Sequence, residues 1–200
     1  MIGVVVYVAV DVVLQLLPPH YNPISEAESN LAVGPFGWIM NLNFLGRAVT
    51  SFAVAGALLG IARGANRRRV PGLLLPGLAL LAVGGICSAV LAFFPTDVAA
   101  AGESIVAESA GGAVHLVVAT LGFAAALAAI VMLTVWISRS GCLSAARRSA
   151  LVFTVLAIVG AVFLTLTLTI LPSLLGLAER LCLLGILGWT YAVAHGIRRL

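Results

Sequence analysis

Residues 112–148 read GAVHLVVATLGFAAALAAIVMLTVWISRSGCLSAARR. From Gly112 to Ser138 no Asp, Glu, Lys or Arg interrupts the run, and Arg139, Arg147 and Arg148 then follow together. A helix needs about 20 apolar residues to cross the hydrocarbon core of a bilayer. Arginines retained beside the end of a span mark its cytoplasmic side. This one stretch therefore predicts a transmembrane helix that ends inside the cell.

The same grammar repeats in both directions. Further apolar runs cover Ile2–Leu17, closed by Pro18-Pro19, then Gly37–Ala62, and Gly72–Phe94, stopped by Pro95. After the opening stretch come Ala150–Leu171, broken by Pro172-Ser173, and Leu174–Ile197. The connecting segments alternate in sign. Arg63, Arg67, Arg68, Arg69, Arg139, Arg147, Arg148, Arg198 and Arg199 fall on one side; Glu26, Glu28, Asp97, Glu103 and Glu108 fall on the other. The predicted fold is all-α, a polytopic bundle of six transmembrane helices with both termini in the cytoplasm. The expected location is the bacterial cytoplasmic (inner) membrane, with the lipid bilayer as the principal partner.

Composition agrees. Of 200 residues 62% are hydrophobic and 9% charged, and the mean hydropathy is +1.18. Soluble domains carry about 25% charged residues, so most of this surface must meet lipid. Six spans use up residues 1–200 and leave one integral membrane domain. All eleven basic residues are Arg, and their placement reads as a topology signal rather than a nucleic-acid patch. The first run has no basic n-region and no small-residue cleavage site after Leu17, so it is expected to be a retained helix rather than a signal peptide. Cys87, Cys142 and Cys182 share no short spacing, and no HxxxH, HExxH or CxxC pattern occurs. Neither a metal centre nor a cofactor is expected.

Four charged residues stand inside apolar runs: Asp11, Arg47, Glu179 and Arg180. A charge at the bilayer centre costs on the order of 2.5–3.5 kcal/mol, so such residues turn inward and pair. Helical rise puts Asp11 and Glu179 about 10 Å, and Arg47 about 15 Å, below the outer end of their spans. Pairing of Arg47 with either Asp11 or Glu179 follows as an expectation. Tyr7, Asp11 and Gln15 form one stripe on the first helix, and Asn43, Arg47 and Ser51 one on the second. His115 lies near the outer end of the fourth helix. Together these predict a polar cavity in the outer half of the membrane. Trp189, Tyr191 and His195 read as an interfacial belt at the inner end of the last helix. Gly56, Gly60 and Gly64 on the second helix, and Gly84 with Ser88 on the third, repeat at helix-contact spacing. Such spacing fits packing within the bundle; a homodimer face is the alternative.

Several blocks resemble a catalogued family. They are Tyr21-Asn22-Pro23-Ile24-Ser25, Leu31-Ala32-Val33-Gly34-Pro35-Phe36-Gly37-Trp38, Asn43-Phe44, Phe94-Pro95-Thr96-Asp97 and Gly112-Ala113-Val114-His115. They are similar to the bacterial and archaeal membrane family "domain of unknown function 998", closely over residues 1–140 and loosely beyond. In the last block the family carries an additional histidine where this chain has Gly111. The resemblance implies a compact domain of about six helices and no particular activity. It places Ser25, Trp38, Asn43, Asp97 and His115 on one side of the membrane.

Three functions compete at this point. The first is an intramembrane enzyme in which Asp11, Asp97 or Glu179 acts as general acid on a lipid-like or isoprenoid substrate, as small membrane terpene cyclases do. Tyr7, Trp38, Asn43, Arg47, His115 and Arg180 would contact that substrate. A carboxyl group in an apolar pocket holds its proton, because desolvation disfavours the charged form. The second is a lipid-binding or accessory protein that uses the same amphiphile and breaks no bond. A small transporter is third, and the absence of a broken-helix pair or duplicated half speaks against it.

Overall fold

The computed structural model describes residues 1–64, 72–98 and 106–200. Six α-helices run through them: α1 (Ile2–Gln15), α2 (Gly37–Gly64), α3 (Leu74–Leu91), α4 (Ala110–Ser140), α5 (Ser144–Thr167) and α6 (Leu175–Ile197). Two 3-10 turns, Glu28–Ala32 and Pro172–Leu174, precede α2 and α6. The expected positions of Arg67, Arg68, Arg69 and Glu103 lie outside the described residues. The helices α2 to α5, and α6 with its leading turn, are long and apolar enough to cross a membrane. The molecule is a multi-pass membrane helical bundle.

Most helix boundaries follow the apolar runs, and two depart from them for physical reasons. Helix α5 begins at Ser144, six residues before its apolar run. Ala145, Ala146, Arg147 and Arg148 are good helix formers whatever their polarity. Gly141, at φ 68°, ends α4 in the left-handed conformation that glycine adopts without strain. Helix α1 has 14 residues and is therefore about 21 Å long, short of the roughly 30 Å hydrocarbon core. Its start lies against the middle of α2, where a Cβ on Gly3 would run into Thr50.

Two apolar clusters fill the interior. One, at the arginine-bearing end, joins Leu58 and Ala62 of α2 to Leu74, Leu133, Trp136, Ile137, Ala146 and Val193. The other joins Val4, Tyr7 and Leu14 of α1 to Leu31, Met40, Phe44 and Leu91 near the opposite end. Trp189 is fully buried, with its indole Nε1 donating to Thr134 Oγ1 (2.7 Å). It is a core residue, not the belt residue its position in the sequence suggests. The Thr134 hydroxyl also meets Thr154 of α5 (2.9 Å), so a buried hydrogen-bonded chain ties α4, α5 and α6 together.

Small residues do most of their close packing between α5 and α6. A Cβ on Gly160 would strike the backbone of Cys182, and one on Gly185 would strike Ala157. Gly84 packs α3 on α4, 3.5 Å from the Gly122 carbonyl oxygen measured from an added Cβ. The α2 glycines behave differently. A Cβ on Gly56, Gly60 or Gly64 would meet nothing within 4 Å. Among the described residues their spacing therefore serves no packing within this bundle.

Candidate functional site

The site begins with a loop that folds inward. Between α1 and α2, residues 21–28 turn back onto the first turns of α6. Gly176 permits the approach, since a Cβ there would collide with the Glu26 and Pro23 carbonyls. Leu177 N–H donates to the Ile24 carbonyl (3.0 Å). Arg180 Nη1 donates to the Pro23 carbonyl (3.1 Å), and its Nη2 donates to the Tyr21 hydroxyl (2.7 Å). Its guanidinium carbon lies 5.2 Å from the centre of the Tyr21 ring, within cation–π range. Arg180 thus clamps the loop to the helix.

The clamp carries Glu28 into the bundle. Its side chain is only 4% exposed. Tyr7 Oη donates to Glu28 Oε2 (2.9 Å), and the Glu28 N–H donates to Glu179 Oε2 (2.7 Å). Burial, with the Glu179 and Asp11 carboxylates adding to it, holds the Glu28 carboxyl well above its ordinary range, at about 8. The sequence grouped Glu28 with the loop carboxylates; the structure makes it the most buried acid of the cluster. Two signals pointed there. Tyr7 is a hydroxyl inside an apolar run, and Glu179-Arg180 is a charged pair inside another, so both wanted partners from outside the spans.

The remaining predicted residues separate into three groups. Asp11 pairs with Arg180 (Oδ1 to Nη2, 3.6 Å) and accepts from Gln15 Nε2 (2.6 Å). This corrects the expected partner, for among the described residues no carboxylate lies within ion-pair distance of Arg47. Arg47 instead donates from Nε to Ser88 Oγ (2.9 Å), which itself donates to the Phe44 carbonyl (2.8 Å). Its guanidinium lies 5.7 Å from the Tyr7 ring centre and 5.9 Å from that of Phe44. Asn43 is buried and donates to the Tyr7 carbonyl (3.0 Å), a brace between α1 and α2.

Trp38 and Asp97 stand apart from the cluster. Trp38 is 62% exposed at the start of α2. Asp97 accepts from the backbone N–H groups of Ser109 and Glu108 (both 2.8 Å) and from the Ser109 hydroxyl (2.8 Å). Ser109 in turn caps α4 by accepting from Gly112 N–H (2.9 Å). The Ser109 hydrogen bonds hold the Asp97 carboxyl below its ordinary range, which suits a helix-start brace.

A cavity of about 270 Å³ joins the cluster to the lipid-facing surface. Its polar end presents Glu28, Arg47, Thr96, His115 and Glu179. His115 is buried and fixed by its Nδ1–H on the Phe94 carbonyl (2.6 Å). The rest of the wall is apolar, including Phe44, Leu91, Phe123, Leu127 and Leu164. Thr120 and Ala124 of α4 and Thr165 and Leu168 of α5 line the cavity and are also exposed on the surface. The two helices are joined by the short 141–143 turn at the arginine-bearing end, and the cavity is lined by both farther along, with these exposed residues at its edge. Asp11, Asp97, Trp38, Asn43 and Arg180 do not line this space. A second cavity of about 40 Å³ lies on the other side of Arg47, lined by Tyr7, Ser51 and Thr190 among others.

No curated protein and no solved structure matches the chain. A family model does, over residues 1–196, which takes in the last two helices as well as the blocks already noted. With six helices, the Tyr21–Phe44 blocks folded around the buried acid, and nearly the whole length matched, the chain belongs to the family described as Protein of unknown function (DUF998).

Proposed function

We propose that this protein takes a lipid-like or isoprenoid amphiphile from the bilayer into the cavity between α4 and α5. The observation that carries the reading is the shape and polarity of that space: an apolar wall open sideways, closed by buried Glu28 with Glu179 and Arg47. Ligand pockets are mostly apolar with a few placed polar groups, and ionisable residues buried at membrane depth mark functional sites. The orientation in the membrane follows from charge. Arg63, Arg139, Arg147, Arg148, Arg198 and Arg199 gather at one end, so both termini belong in the cytoplasm and the cavity in the outer half of the bacterial cytoplasmic membrane.

Native mass spectrometry of protein released from a mild detergent tests this. The wild type is expected to carry an amphiphile of defined mass. Ala119→Trp fills the cavity and should lose it, whereas Val117→Trp, on the exposed face of the same helix, should keep it. An adduct retained equally by both variants would refute a cavity-bound ligand.

A second reading is acid catalysis on that amphiphile, and one observation favours it. Glu28 keeps its proton to about pH 8 while lining the cavity. The acid role then falls to Glu28, with Glu179 as the neighbouring carboxylate, rather than to Asp11 or Asp97. The Glu28 O–H bond would break as its proton adds to an alkene carbon, opening the π bond, or to an epoxide oxygen, opening a ring C–O bond; a second double bond of the substrate would capture the cation, and loss of a proton would restore Glu28. Incubating the captured molecule with wild type and Glu28→Gln tests this. Turnover by the wild type and none by the variant is expected; equal conversion by both would remove Glu28 from the chemistry.

A further inference from the structure

Arg47 is the cation of the cavity wall, and its donors are unevenly spent. Nε donates to Ser88 Oγ (2.9 Å), and the guanidinium stands 5.7 and 5.9 Å from the Tyr7 and Phe44 ring centres. Nη1 and Nη2 have no acceptor and no ion-pair partner among the described residues. Neither atom is sealed inside the protein, so both open onto the spaces that Arg47 lines. One of these, at about 40 Å³, has room for water alone. The other is the cavity of about 270 Å³ with the apolar wall.

The carboxyl groups of the same wall are engaged by other residues. Glu28 accepts from the Tyr7 hydroxyl and is hydrogen-bonded to Asp11, and Glu179 accepts from the Glu28 N–H. Glu28 also holds its proton to about pH 8, so near neutrality it brings no charge to Arg47. Glu179 lies beyond ion-pair distance of Arg47, and Asp11 pairs with Arg180. An arginine at membrane depth is costly without a partner. The free end of its guanidinium is a planar pair of donors that matches two oxygens of one head group. The Ser88 bond and the two rings hold this fork in place before any ligand arrives, which lowers the cost of binding.

We propose that Arg47 seats the oxyanion head of a membrane-borne amphiphile, a carboxylate or a phosphate monoester, with its tail lying along the apolar wall between α4 and α5. This rests on the amphiphile reading above and adds the class of head group. Two oxygens of the head accept from Nη1 and Nη2 as a bidentate pair. Charge-assisted hydrogen bonds are about twice as strong as neutral ones. An alcohol offers the fork a single uncharged oxygen. An ammonium carries donors and no acceptor, and it meets the positive charge of Arg47. Glu28 and Glu179 on the same wall disfavour a second negative charge on the head, so the seat suits a singly charged one.

The test uses the full chain in a non-ionic detergent at neutral pH, with dodecanoate, dodecyl phosphate, dodecanol and dodecylamine as probes and butyrate and inorganic phosphate as soluble competitors, read by native mass spectrometry. Dodecanoate or dodecyl phosphate should be held at least about tenfold more tightly than dodecanol, and the acid held more tightly identifies the head. Arg47→Gln should abolish the preference, and Ala119→Trp, which fills the cavity, should abolish binding of both acids. The head-group series on the wild type stands even if a variant does not fold. Equal retention of acids and alcohol, or tighter retention of dodecylamine, would overturn the oxyanion seat while leaving the cavity reading intact. An undiminished preference in folded Arg47→Gln or Ala119→Trp would overturn the seat as well, by placing the acids elsewhere on the protein. Butyrate or inorganic phosphate competing as well as the dodecyl acids would overturn the membrane-borne source. Failure of every dodecyl probe to bind would overturn the cavity reading itself, and this proposal with it.

Discussion

Replacing Glu28 with Gln should change how the stability of the bundle depends on pH. A carboxyl with an ordinary value of 4.5 sits at about 8 in the fold, chiefly because it is buried and secondarily because Glu179 and Asp11 stand near it. The folded state therefore binds this proton more tightly than the unfolded chain. The stability it contributes is fully present below pH 4.5, falls as pH rises through the interval, and is lost above about pH 8. At about 1.4 kcal/mol per tenfold in proton affinity, the interval is worth roughly 3–5 kcal/mol, or on the order of 10 °C in melting temperature for a chain of this size. Melting in mild detergent from pH 5 to pH 8.5 should show that decline in the wild type. Glu28→Gln keeps an oxygen for the Tyr7 hydroxyl but cannot ionise, so its curve should be flatter. Parallel curves for the two proteins would refute the assignment of Glu28 as the buried protonated acid.

Three further outcomes follow from the geometry. Tyr7→Phe removes the donor to Glu28 Oε2 and should cost about 1–3 kcal/mol, the penalty for stranding a buried acceptor; no change in unfolding free energy would mean that the bond is not formed. Gly185→Ala places a Cβ against the Ala157 backbone and should cost about 1–3 kcal/mol by overpacking, whereas Gly60→Ala, facing open space, should be neutral or stabilising by up to about 1 kcal/mol; thermal melts of the pair separate the buried from the lipid-facing glycines. Asp97→Ala should lower the melting temperature by loosening the start of α4, yet leave amphiphile retention unchanged; loss of retention in a fully folded variant would return Asp97 to the site.

Spans were readable because hydropathy is additive along a chain. The positions of charges were readable in depth but not in azimuth. Helical rise put Asp11, Arg47 and Glu179 at similar levels, yet rise says nothing about which face meets which. Arg47 consequently looked like the partner of Asp11 or Glu179, whereas Asp11 pairs with Arg180, the residue beside Glu179. Glu28 was missed for another reason. Sorting loop charges by sign assumes that loops stay in water, and this loop does not. Its inward fold depends on Gly176, whose hydrogen side chain lets α6 touch the Glu26 carbonyl, and on carbonyl contacts from Arg180 that no residue pattern announces. The α2 glycines misled in the opposite sense. Spacing marks a face that admits close approach, but whether any helix of the same chain is long enough to use it is a three-dimensional matter.

The five ionisable groups gathered near one end of this bundle divide by what surrounds them. Asp11 and Arg180 are a lock: they pair with each other, hold the 21–28 loop on α6, and line no cavity. Buried ion pairs of this kind fix registry more reliably than they add stability. Glu28, Glu179 and Arg47 share a cavity wall instead, and no ion pair closes among them. Neither set is fully satisfied, for Asp11 Oδ1 and Arg180 Nε are buried without a hydrogen-bond partner; what separates the sets is that Glu28, Glu179 and Arg47 face the cavity. Holding an acid buried beside that cavity costs stability once it ionises, and the pH dependence of Glu28 measures that cost. Selection tolerates such a cost where the open groups bind or act on something. The lock and the site therefore depend on each other: Arg180 clamps the loop that brings Glu28 inward, and without that clamp the acid would return to water and the cavity would lose its polar end.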